Sequence, residues 1–382
     1  MIYKKLSSIA DIQAGGTPSR TKLEYWNGNI PWIKISNIKE KYVTSFEEEI
    51  NEDGLNNSSA KLFPKNTILY TIFATLGRVG ILAFEAATNQ AIAGINIKDK
   101  KITLDYLYYF LKSTEKHVNA IGNGVAQKNI NLSILKNLDV PLRSLSNQNQ
   151  ISDTLNCLEQ LIEAEEKQLA LLNELIKSRF IEMFGDVLRN SKNFQTCHFG
   201  EYVYQMNIGP FGSDLKNDCF VPKELSACMV YEQKHAIEKT LNVPTRYISN
   251  EKYSHLKRFE IGPGDIIVSC RGTVGECWIL PEEAPKGIIH PSLMLIKPND
   301  AVNHEFLMYL LERILSEQTQ QGSGVKMAIR AKDLSKIVCI KPSREDQNHF
   351  IDFVHLVDKS KFVVHSRYFL CDIFTLFSST IA

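Results

Sequence analysis

The sequence predicts a mixed α+β protein built from two similar globular modules, each followed by a long helix. Two observations indicate this: an internal repeat with a period of about 200 residues, and a heptad pattern of apolar residues after each copy. We place the two modules at residues 1–146 and 186–345, and the helices at residues 147–185 and 346–382. The two helices are expected to form an antiparallel coiled coil, which would relate the modules by a pseudo-twofold axis.

The repeat consists of separated blocks in which charge, size and glycine positions agree. The blocks, in pairs, are Ile102–Leu111 with Val302–Leu311, Gly122–Val125 with Gly322–Val325, Gln148-Asn149 with Gln347-Asn348, Pro64–Tyr70 with Pro263–Val268, and Gly77–Gly80 with Gly272–Gly275. This period is too long for a solenoid unit of 20–50 residues, so it indicates duplication of a whole domain. The halves are least alike at Thr21–Ser59 and Asn217–Lys257, which suggests one scaffold with surfaces altered for two targets.

Inside each module, β-branched and aromatic runs bounded by Pro and Gly predict short strands in small irregular sheets. Examples are Thr67–Phe73 and Asp265–Ser269. The duplicated block also predicts two helices, Leu104–Ser113 and His304–Ser316.

The first predicted long helix runs from about Ile151 to Phe184 without Gly or Pro, and Gly185 ends it. Its seam positions are Ile151, Leu155, Leu158, Ile162, Glu165, Leu169, Leu172 and Ile176. The second helix has the seam Phe350, Val354, Val357, Lys361, Val364 and Tyr368. Polar seam residues fix register when they pair, so we predict that Glu165 approaches Lys361. The alternative is a pair of ordinary amphipathic helices, each packed on its own module.

Composition is that of a soluble, core-forming protein, with 44% hydrophobic and 23% charged residues. No apolar run is long enough to cross a bilayer, and the N-terminus has no signal-peptide pattern, so we expect a cytoplasmic protein without membrane contact. The eight cysteines form no C-x-x-C pair, which favours free thiols over a disulfide framework or a zinc site. The net charge of +1 argues mildly against nucleic-acid binding, unless charge is segregated on one face.

Motifs for bond chemistry are missing from the sequence. There is no phosphate-binding loop, no G-x-S-x-G elbow and no Asn/Asp-Pro-Pro-aromatic segment of amino-methyltransferases. The E-x-K spacings at Glu232–Lys234 and Glu165–Lys167 follow no Pro-Asp element, so they do not predict a nuclease. His290 is expected to be a core or turn residue. We therefore predict no catalytic residue, no metal site and no cofactor in this chain.

Paired loops that combine Gly with polar or basic residues are the predicted contact surface for duplex DNA. Glycine lets the backbone approach a ligand, and Gln, Asn, Arg and Lys are side chains that read base edges. Polar surface turns without a ligand remain the alternative for each loop. This loop chemistry, together with the resemblance of the chain to a known family, predicts DNA contact at Arg20, Thr75, Arg78, Gln127, Lys128 and Asn129 in the first module, and at Ser213, Lys216, Arg271, Lys326 and Arg330 in the second.

With these motifs in view, the chain resembles the specificity subunit of type I restriction-modification systems. The resemblance lies in Leu6–Ser19, in Tyr25–Trp32, in Ile208–Ser213, in the Gly124–Asn129 loop before Asp139–Leu142, and in the order module, helix, module, helix. It implies that each module reads one half of a split DNA site and that the helices set the gap between the halves. One departure is the C-terminal helix, whose seam carries Lys361 and Cys371 and whose end is rich in Phe.

The resemblance also implies partners. Two methylation subunits would dock on the helices and modify adenine N6 with S-adenosylmethionine, and two ATP-dependent translocating and cutting subunits could join. S-adenosylmethionine, ATP and Mg²⁺ would belong to those partners. The competing hypothesis is a scaffold that binds only proteins through its coiled-coil helices, which the near-neutral charge favours slightly.

Overall fold

The computed structural model describes residues 2–115, 118–119, 130–226, 228–321 and 330–368, with side chains except at 318–321 and 362–368. Contacts divide the chain into two units. The first comprises Met1–Gln168 together with the C-terminal helix from Val364, and the second comprises Leu169–Val363.

Among its described residues the first unit contains eleven strands and several short helices, and a long helix leads from it into the second unit. The strands are β1 Ile2–Lys5, β2 Ala10–Ala14, β3 Ile30–Ile33, β4 Tyr42–Val43, β5 Glu48–Ile50, β6 Leu62–Phe63, β7 Ile68–Thr71, β8 Val79–Leu82, β9 Ala86–Thr88, β10 Ile92–Ile97 and β11 Asp139–Leu142. The helices are α1 Leu6–Ile9, α2 Glu52–Asn56, α3 Leu104–Ser113, α4 Leu132–Lys136 and α5 Leu145–Phe184, with 3-10 turns at Leu23–Trp26 and Ile35–Asn37.

Three sheets form this unit: β2-β10-β7-β8-β4, β5-β3-β9-β6 and the pair β1-β11. Neighbouring strands are antiparallel except β3 with β9 and β4 with β8. All four residues of β7 are buried, and successive side chains point to opposite faces. Ile68 and Tyr70 therefore pack into a core with α3, while Leu69 packs into a second core with Phe63 of the neighbouring sheet.

The second unit repeats this arrangement. Its strands are β12 Gln195–His198, β13 Val203–Ile208, β14 Phe220–Val221, β15 Cys228–Tyr231, β16 Arg246–Ile248, β17 Glu260–Ile261, β18 Ile266–Ser269, β19 Cys277–Ile279, β20 Gly287–Ile289, β21 Leu293–Pro298 and β22 Val338–Lys341. Its helices are α6 Gln233–Glu238, α7 Asn250–Leu256, α8 His304–Gln321, α9 Ala331–Leu334 and α10 Arg344–Tyr368, of which the residues from Val364 belong to the first unit. The 3-10 turns are Phe199–Tyr202, Gly212–Asp214, Asn217–Cys219, Lys223–Leu225 and Lys257–Phe259.

The sheet orders of the two units correspond strand for strand. The sheet β13-β21-β18-β19 matches β2-β10-β7-β8, and β16-β15-β20-β17 matches β5-β3-β9-β6. The parallel pair also recurs, as β15 with β20. Only the first unit adds β4, and only the second adds β14, among the described residues. The predicted fold class, two similar mixed modules connected by a long helix, is confirmed.

Several predicted boundaries differ for local reasons. Thr67 and Asp265 belong to the turns before β7 and β18, since their amides donate to Pro64 and Gly262. The central helix α5 begins six residues before Ile151, because the Ser144 side chain accepts from the amide of Asn147 and caps the first turn. Helix α8 continues to Gln321, five residues beyond the predicted end at Ser316.

The central helix α5 packs against a different core at each end. Leu155 lies in the core of the first unit, and Ile176, Phe180 and Phe184 lie in the core of the second. Gly185 ends the helix with φ of +68°, the left-handed conformation that glycine accepts without strain.

Candidate nucleic-acid interface

In the first unit, several predicted DNA-contacting loops lie together at one end of the strands of the main sheet, β2-β10-β7-β8-β4. Strands β2 and β7 end there, and β10 begins there, because both pair antiparallel with β10. The amide of Gly15 donates to Ile92 at 2.9 Å, and that of Gly16 donates to Thr88 at 2.8 Å. We call this end of the sheet, with the loops that leave it, the loop edge.

The β7–β8 hairpin projects from the loop edge. Thr71 Oγ1 accepts from the amide of Arg78 at 2.9 Å and closes the hairpin. Two residues in its turn have positive φ, Ala74 at +61° and Gly77 at +82°. Thr75 and Arg78 are exposed, and Arg78 Nη1 donates to the Ile38 carbonyl at 3.4 Å.

A third loop reaches the same edge. The amide of Ile130 donates to the Ile72 carbonyl at 3.0 Å, next to the hairpin. The three residues before Ile130 are the predicted contacts Gln127, Lys128 and Asn129, which lie outside the described residues.

The second unit has an equivalent loop edge. Gly209 donates to Leu293 at 2.8 Å, as Gly15 does to Ile92, and Cys270 donates to Ser292 at 2.8 Å. Three predicted contacts, Ser213, Lys216 and Arg271, are exposed on the loops after β13 and β18. Arg330 is exposed at the N-cap of α9, and Lys326 lies outside the described residues.

The hydrogen bonds of the β7–β8 and β18–β19 hairpins show that part of the predicted sequence alignment between the two modules is wrong. Ser269 Oγ accepts from the amide of Glu276 at 2.9 Å, as Thr71 accepts from Arg78, so Glu276 and not Thr273 stands at the position of Arg78. Gly275 (φ +94°) thus matches Gly77, three residues from the predicted partner Gly272. In the preceding block, Asn66 (φ +69°) matches Gly264 (φ +79°) and not Asp265. Arg78 and Arg271 are therefore not counterparts.

The glycines at the starts of these loops have a structural role that the sequence reading did not anticipate. A Cβ atom on Gly15 would lie 2.1 Å from Thr88 Oγ1, and one on Gly209 would lie 2.3 Å from the His290 carbonyl oxygen. Both glycines therefore allow close approach of another part of the chain, at the end of β9 for Gly15 and just after β20 for Gly209.

Arg20 belongs to a network of cation–π and ion-pair contacts that was not predicted from the sequence. Its guanidinium lies 3.5 Å from the ring centroid of Trp26, and Nη1 lies 2.7 Å from Glu48 Oε2. Glu48 Oε1 also pairs with Lys34 Nζ at 2.9 Å, and Trp32 donates its indole N–H to the Gly16 carbonyl at 3.0 Å. This network is continuous with the loop edge.

A comparable network lies at the loop edge of the second unit. Arg246 donates through Nε to Glu232 Oε1 at 2.7 Å, and its guanidinium lies 4.0 Å from the Phe220 ring centroid. Lys234 Nζ lies 3.0 Å from Glu232 Oε2, and Gln233 Nε2 donates to the Thr273 carbonyl at 2.9 Å. In the sequence, only the E-x-K spacing of Glu232 and Lys234 was apparent. The contact of Glu232 with Arg246 shows that these residues form an ion-pair cluster.

These environments shift ionisation equilibria. Burial acts to raise the pKa of Glu48, but hydrogen bonds from Lys34 and Arg20 outweigh it and hold the pKa below its usual value. The pKa of Glu232 is lowered in the same way by Lys234 and Arg246, against the effect of burial. Burial lowers the pKa of both His235 and His290, which favours their neutral forms. Both carboxylates therefore stay charged at neutral pH.

The burial of residues along α5 and α10 can be compared with the predicted helix seam. Between Ile162 and Arg179 on α5, the seam positions are partly or fully buried and most intervening residues are exposed. On α10, Phe350, Val354 and Val357 are buried, and Lys361 is half-buried and pairs with Asp358 at 2.7 Å. Val364 and Tyr368 lie in α10, but their side chains are outside the described set. The approach of Glu165 to Lys361 stays a prediction.

Within the second unit, the last turns of α5 contact the first turns of α10. The Phe350 ring centroid lies 5.2 Å from that of Phe180 and 5.7 Å from that of Phe184. Neither Phe180 nor Phe184 was in the predicted seam. This contact also includes Phe306 of the module core, so the two helices and the module share it, and the coiled coil beyond it stays a prediction.

A buried glutamine joins each module to its trailing helix. Gln148 Oε1 accepts from the amide of Thr103 at 2.9 Å, and Gln347 Oε1 accepts from the amide of Asn303 at 2.8 Å. The side-chain Nε2 of Gln148 donates to the Arg143 carbonyl at 2.9 Å, and that of Gln347 donates to the Pro342 carbonyl at 3.0 Å. This pair of glutamines, matched in the sequence repeat, therefore fixes the start of α3 and of α8 against the helix that follows each module.

In the described part of the chain, no group of three His, Cys, Asp or Glu side chains is placed to hold a metal ion. The seven described cysteines are free thiols, and five are buried; Cys371 lies outside the described residues. None of the described helices is long and apolar enough to span a membrane.

The architecture defines a class: a duplicated mixed module with a loop-bearing sheet edge in each copy and a 40-residue helix between them. The family model for the "Type I restriction modification DNA specificity domain" matches residues 2–174 and 231–365. The chain belongs to this family, as the resemblance in the sequence had suggested.

Individual relatives agree with this assignment. The specificity subunit of the type I restriction enzyme MjaIX from Methanocaldococcus jannaschii is 32% identical over 206 residues, covering 53% of this chain and 46% of that protein. The EcoR124I/EcoR124II specificity subunit of Escherichia coli is 28% identical over 193 residues, covering 49% and 47%. The match thus spans about half the length of these curated relatives.

Solved structures share the fold. The S subunit of a type I restriction-modification system from M. genitalium aligns over 100% of this chain and 94% of its own, with a TM-score of 0.52 and 17% identity. A chain from a structural study of complex assembly and conformational transition in a type I R-M system aligns over 100% and 97%, with a TM-score of 0.57 and 15% identity.

Proposed function

We propose that this chain is the DNA-specificity subunit of a type I restriction-modification complex. It reads a split duplex target, one half with each module, and performs no bond chemistry itself. The observation that carries the proposal is the duplicated loop edge, which presents exposed basic and polar residues from separate loops in each unit. Membership of the specificity-domain family supports it.

The partners follow from this function. Two methylation subunits bind the helices that trail the modules and direct S-adenosylmethionine to adenine N6 at the bound site, and two ATP- and Mg²⁺-dependent translocating and cutting subunits can join. Exposed leucines on α5 support docking there: Leu161 in the first unit is 54% exposed, and Leu171 in the second is 61% exposed. No cofactor is assigned to this chain, and the assembly works in the cytoplasm, where the host DNA lies.

Two modules on a stiff helix suit a bipartite target. Tethering makes the second half-site contact intramolecular, so two modest affinities reinforce each other. The helix then sets the gap between half-sites, as helical spacing does in dimeric DNA-binding proteins.

Methylation-aware sequencing of host DNA, with and without the gene, tests the proposal. We expect a bipartite adenine-methylated motif that disappears with the gene. A heptad inserted after Gln168 adds about 10 Å of helix, which corresponds to about three base pairs. It should lengthen the gap and leave the half-site sequences unchanged. Altered half-sites with an unchanged gap would contradict the proposal that the helix sets the gap.

The competing scaffold function predicts a different result. A protein-only scaffold would show no salt-dependent binding to duplex DNA when assembled with its methylation subunits. Binding that weakens steeply with salt excludes it.

A further inference from the structure

The two units carry the same cross-strand ion pair with opposite polarity. In the first, Lys34 follows β3 and its Nζ lies 2.9 Å from Glu48 on the neighbouring strand β5. In the second, Glu232 follows β15 and accepts from Arg246 on the neighbouring strand β16 at 2.7 Å. A lysine–glutamate pair in one module thus becomes a glutamate–arginine pair in the other.

Backbone contacts show that these positions are equivalent. The amide of Lys34 donates to Asn37 Oδ1 at 2.8 Å, and the amide of Glu232 donates to His235 Nδ1 at 2.9 Å, so each residue starts a turn closed by a buried residue three positions later. The strand registers agree as well, with Trp32 opposite Glu48 and Val230 opposite Arg246.

Both pairs lie at the loop edge. In the first unit, Glu48 also binds Arg20, which belongs to the loop that begins at Gly15. In the second, the residue after Glu232 is Gln233, which binds the carbonyl of Thr273 in the β18–β19 hairpin. Each pair is therefore fixed to a loop from which exposed candidate DNA contacts project.

The pairs are partly screened from water: Glu48 Oε2 is buried, whereas the four side chains as wholes keep an exposed fraction. The exposed side-chain fractions are 28% for Lys34 and 27% for Glu48, and 13% for Glu232 and 37% for Arg246. A positive donor and a carboxylate side by side match a G·C base pair in the major groove. Lys or Arg donates to O6 and N7 of guanine, and a carboxylate accepts from N4 of cytosine.

We propose that each ion pair reads one G·C base pair and that the reversed polarity makes the two modules read it in opposite orientations on their common scaffold. The inference rests on the proposed function and adds to it the residues that distinguish the two half-sites. It also gives a physical reason for the dissimilarity of Thr21–Ser59 and Asn217–Lys257, the segments that contain all four residues.

The test reverses each pair without breaking it. Lys34→Glu/Glu48→Arg and Glu232→Arg/Arg246→Glu retain opposite charges across the same strands. The first also places like charges against Arg20 and Glu47, and the second against Lys234, so the fold of each variant is checked before its motif is determined. Each variant replaces the wild-type chain in its host, and the methylated motif is determined by sequencing. We expect the first variant to invert or relax one G·C position in one half-site, the second to do so in the other half-site, and the gap to stay unchanged.

The matched control reverses an ion pair at the opposite end of the main sheet. Lys98 pairs with Asp11 at 2.9 Å there, and Lys98→Asp/Asp11→Lys should leave both half-sites unchanged. Urea denaturation checks that every variant folds. If a double variant does not fold, Lys34→Gln, which keeps a donor for Glu48, should relax the same position.

Each outcome decides between the hypotheses. Unchanged half-sites in both reversed variants overturn the inference while leaving the proposed function intact. Loss of methylation at all sites by folded variants also overturns it, since a base reader relaxes one position and spares the others. A wild-type chain that gives no bipartite motif contradicts the proposed function, and the inference with it.

Discussion

Phe350 lies at the centre of the contact between the end of α5 and the start of α10, so replacing it by alanine tests that contact directly. The side chain is fully buried, and its ring centroid lies 5.2 Å from that of Phe180 and 5.3 Å from that of Tyr309. Removing a buried Phe side chain typically costs about 3–5 kcal/mol, from lost transfer free energy and the cavity left behind.

The expected change is large enough to measure. In a unit of this size, 1 kcal/mol shifts Tm by about 2–4 °C, so Phe350→Ala should lower the Tm of the second unit by about 6–20 °C. Trp278 is buried in this unit and reports its unfolding by fluorescence. The other two tryptophans, Trp26 and Trp32, lie in the first unit and can be replaced by Phe to leave a single reporter.

Leu356 on the same helix provides the matched control. Its side chain is 63% exposed, so Leu356→Ala should change the free energy of unfolding by no more than about 0.5 kcal/mol. If Phe350→Ala is as mild as Leu356→Ala, the helices do not share a packed seam in this unit and the reasoning is refuted.

Two further substitutions probe buried polar groups. Gln347→Leu should destabilise the second unit by about 1–3 kcal/mol, because it leaves the Asn303 amide and the Pro342 carbonyl without their partner; urea denaturation measures this, and a loss below 0.5 kcal/mol would contradict it. Burial lowers the pKa of His235, so the unfolded chain binds protons more readily and stability should fall as pH drops below the ordinary value of 6.5. His235→Asn, which copies Asn37 of the first unit, should reduce this dependence between pH 7.5 and 5.5 and leave the part due to His290, whose pKa burial also lowers. An unchanged slope would show that His235 does not contribute.

The features predicted from sequence are those that leave a periodic signal. Heptad spacing located α5 and α10, and the repeat located the paired glutamines Gln148 and Gln347. Helix α3, predicted within the duplicated block, has the predicted bounds Leu104–Ser113. None of these signals depends on which strands pair, so each can be recognised in the sequence alone.

The ion pairs could not be found in this way. Lys34 and Glu48 lie 14 residues apart, and only the register of β3 with β5 brings them together. Neither residue belongs to a motif, and their counterparts Glu232 and Arg246 have the opposite charges, so a search for similarity passes over them. The same limit explains the misaligned hairpins, where residues with positive φ, and not residue identity, mark the equivalent positions.

The β7–β8 and β18–β19 hairpins carry opposite charges at one equivalent position, Arg78 and Glu276, and this difference tests the proposed contact with the DNA backbone. Its guanidinium binds the Ile38 carbonyl beside the base of the hairpin rather than its tip, which favours contact with phosphate over a base edge. Glu276 at the equivalent position cannot bind phosphate. Arg78→Gln should therefore weaken binding of the assembled complex to target and non-target duplexes alike, and reduce the slope of log K against log salt by about 0.9. Glu276→Gln, the matched variant, should leave that slope unchanged. If Arg78→Gln instead relaxes a single base position at constant slope, Arg78 reads sequence and the assignment to phosphate is wrong.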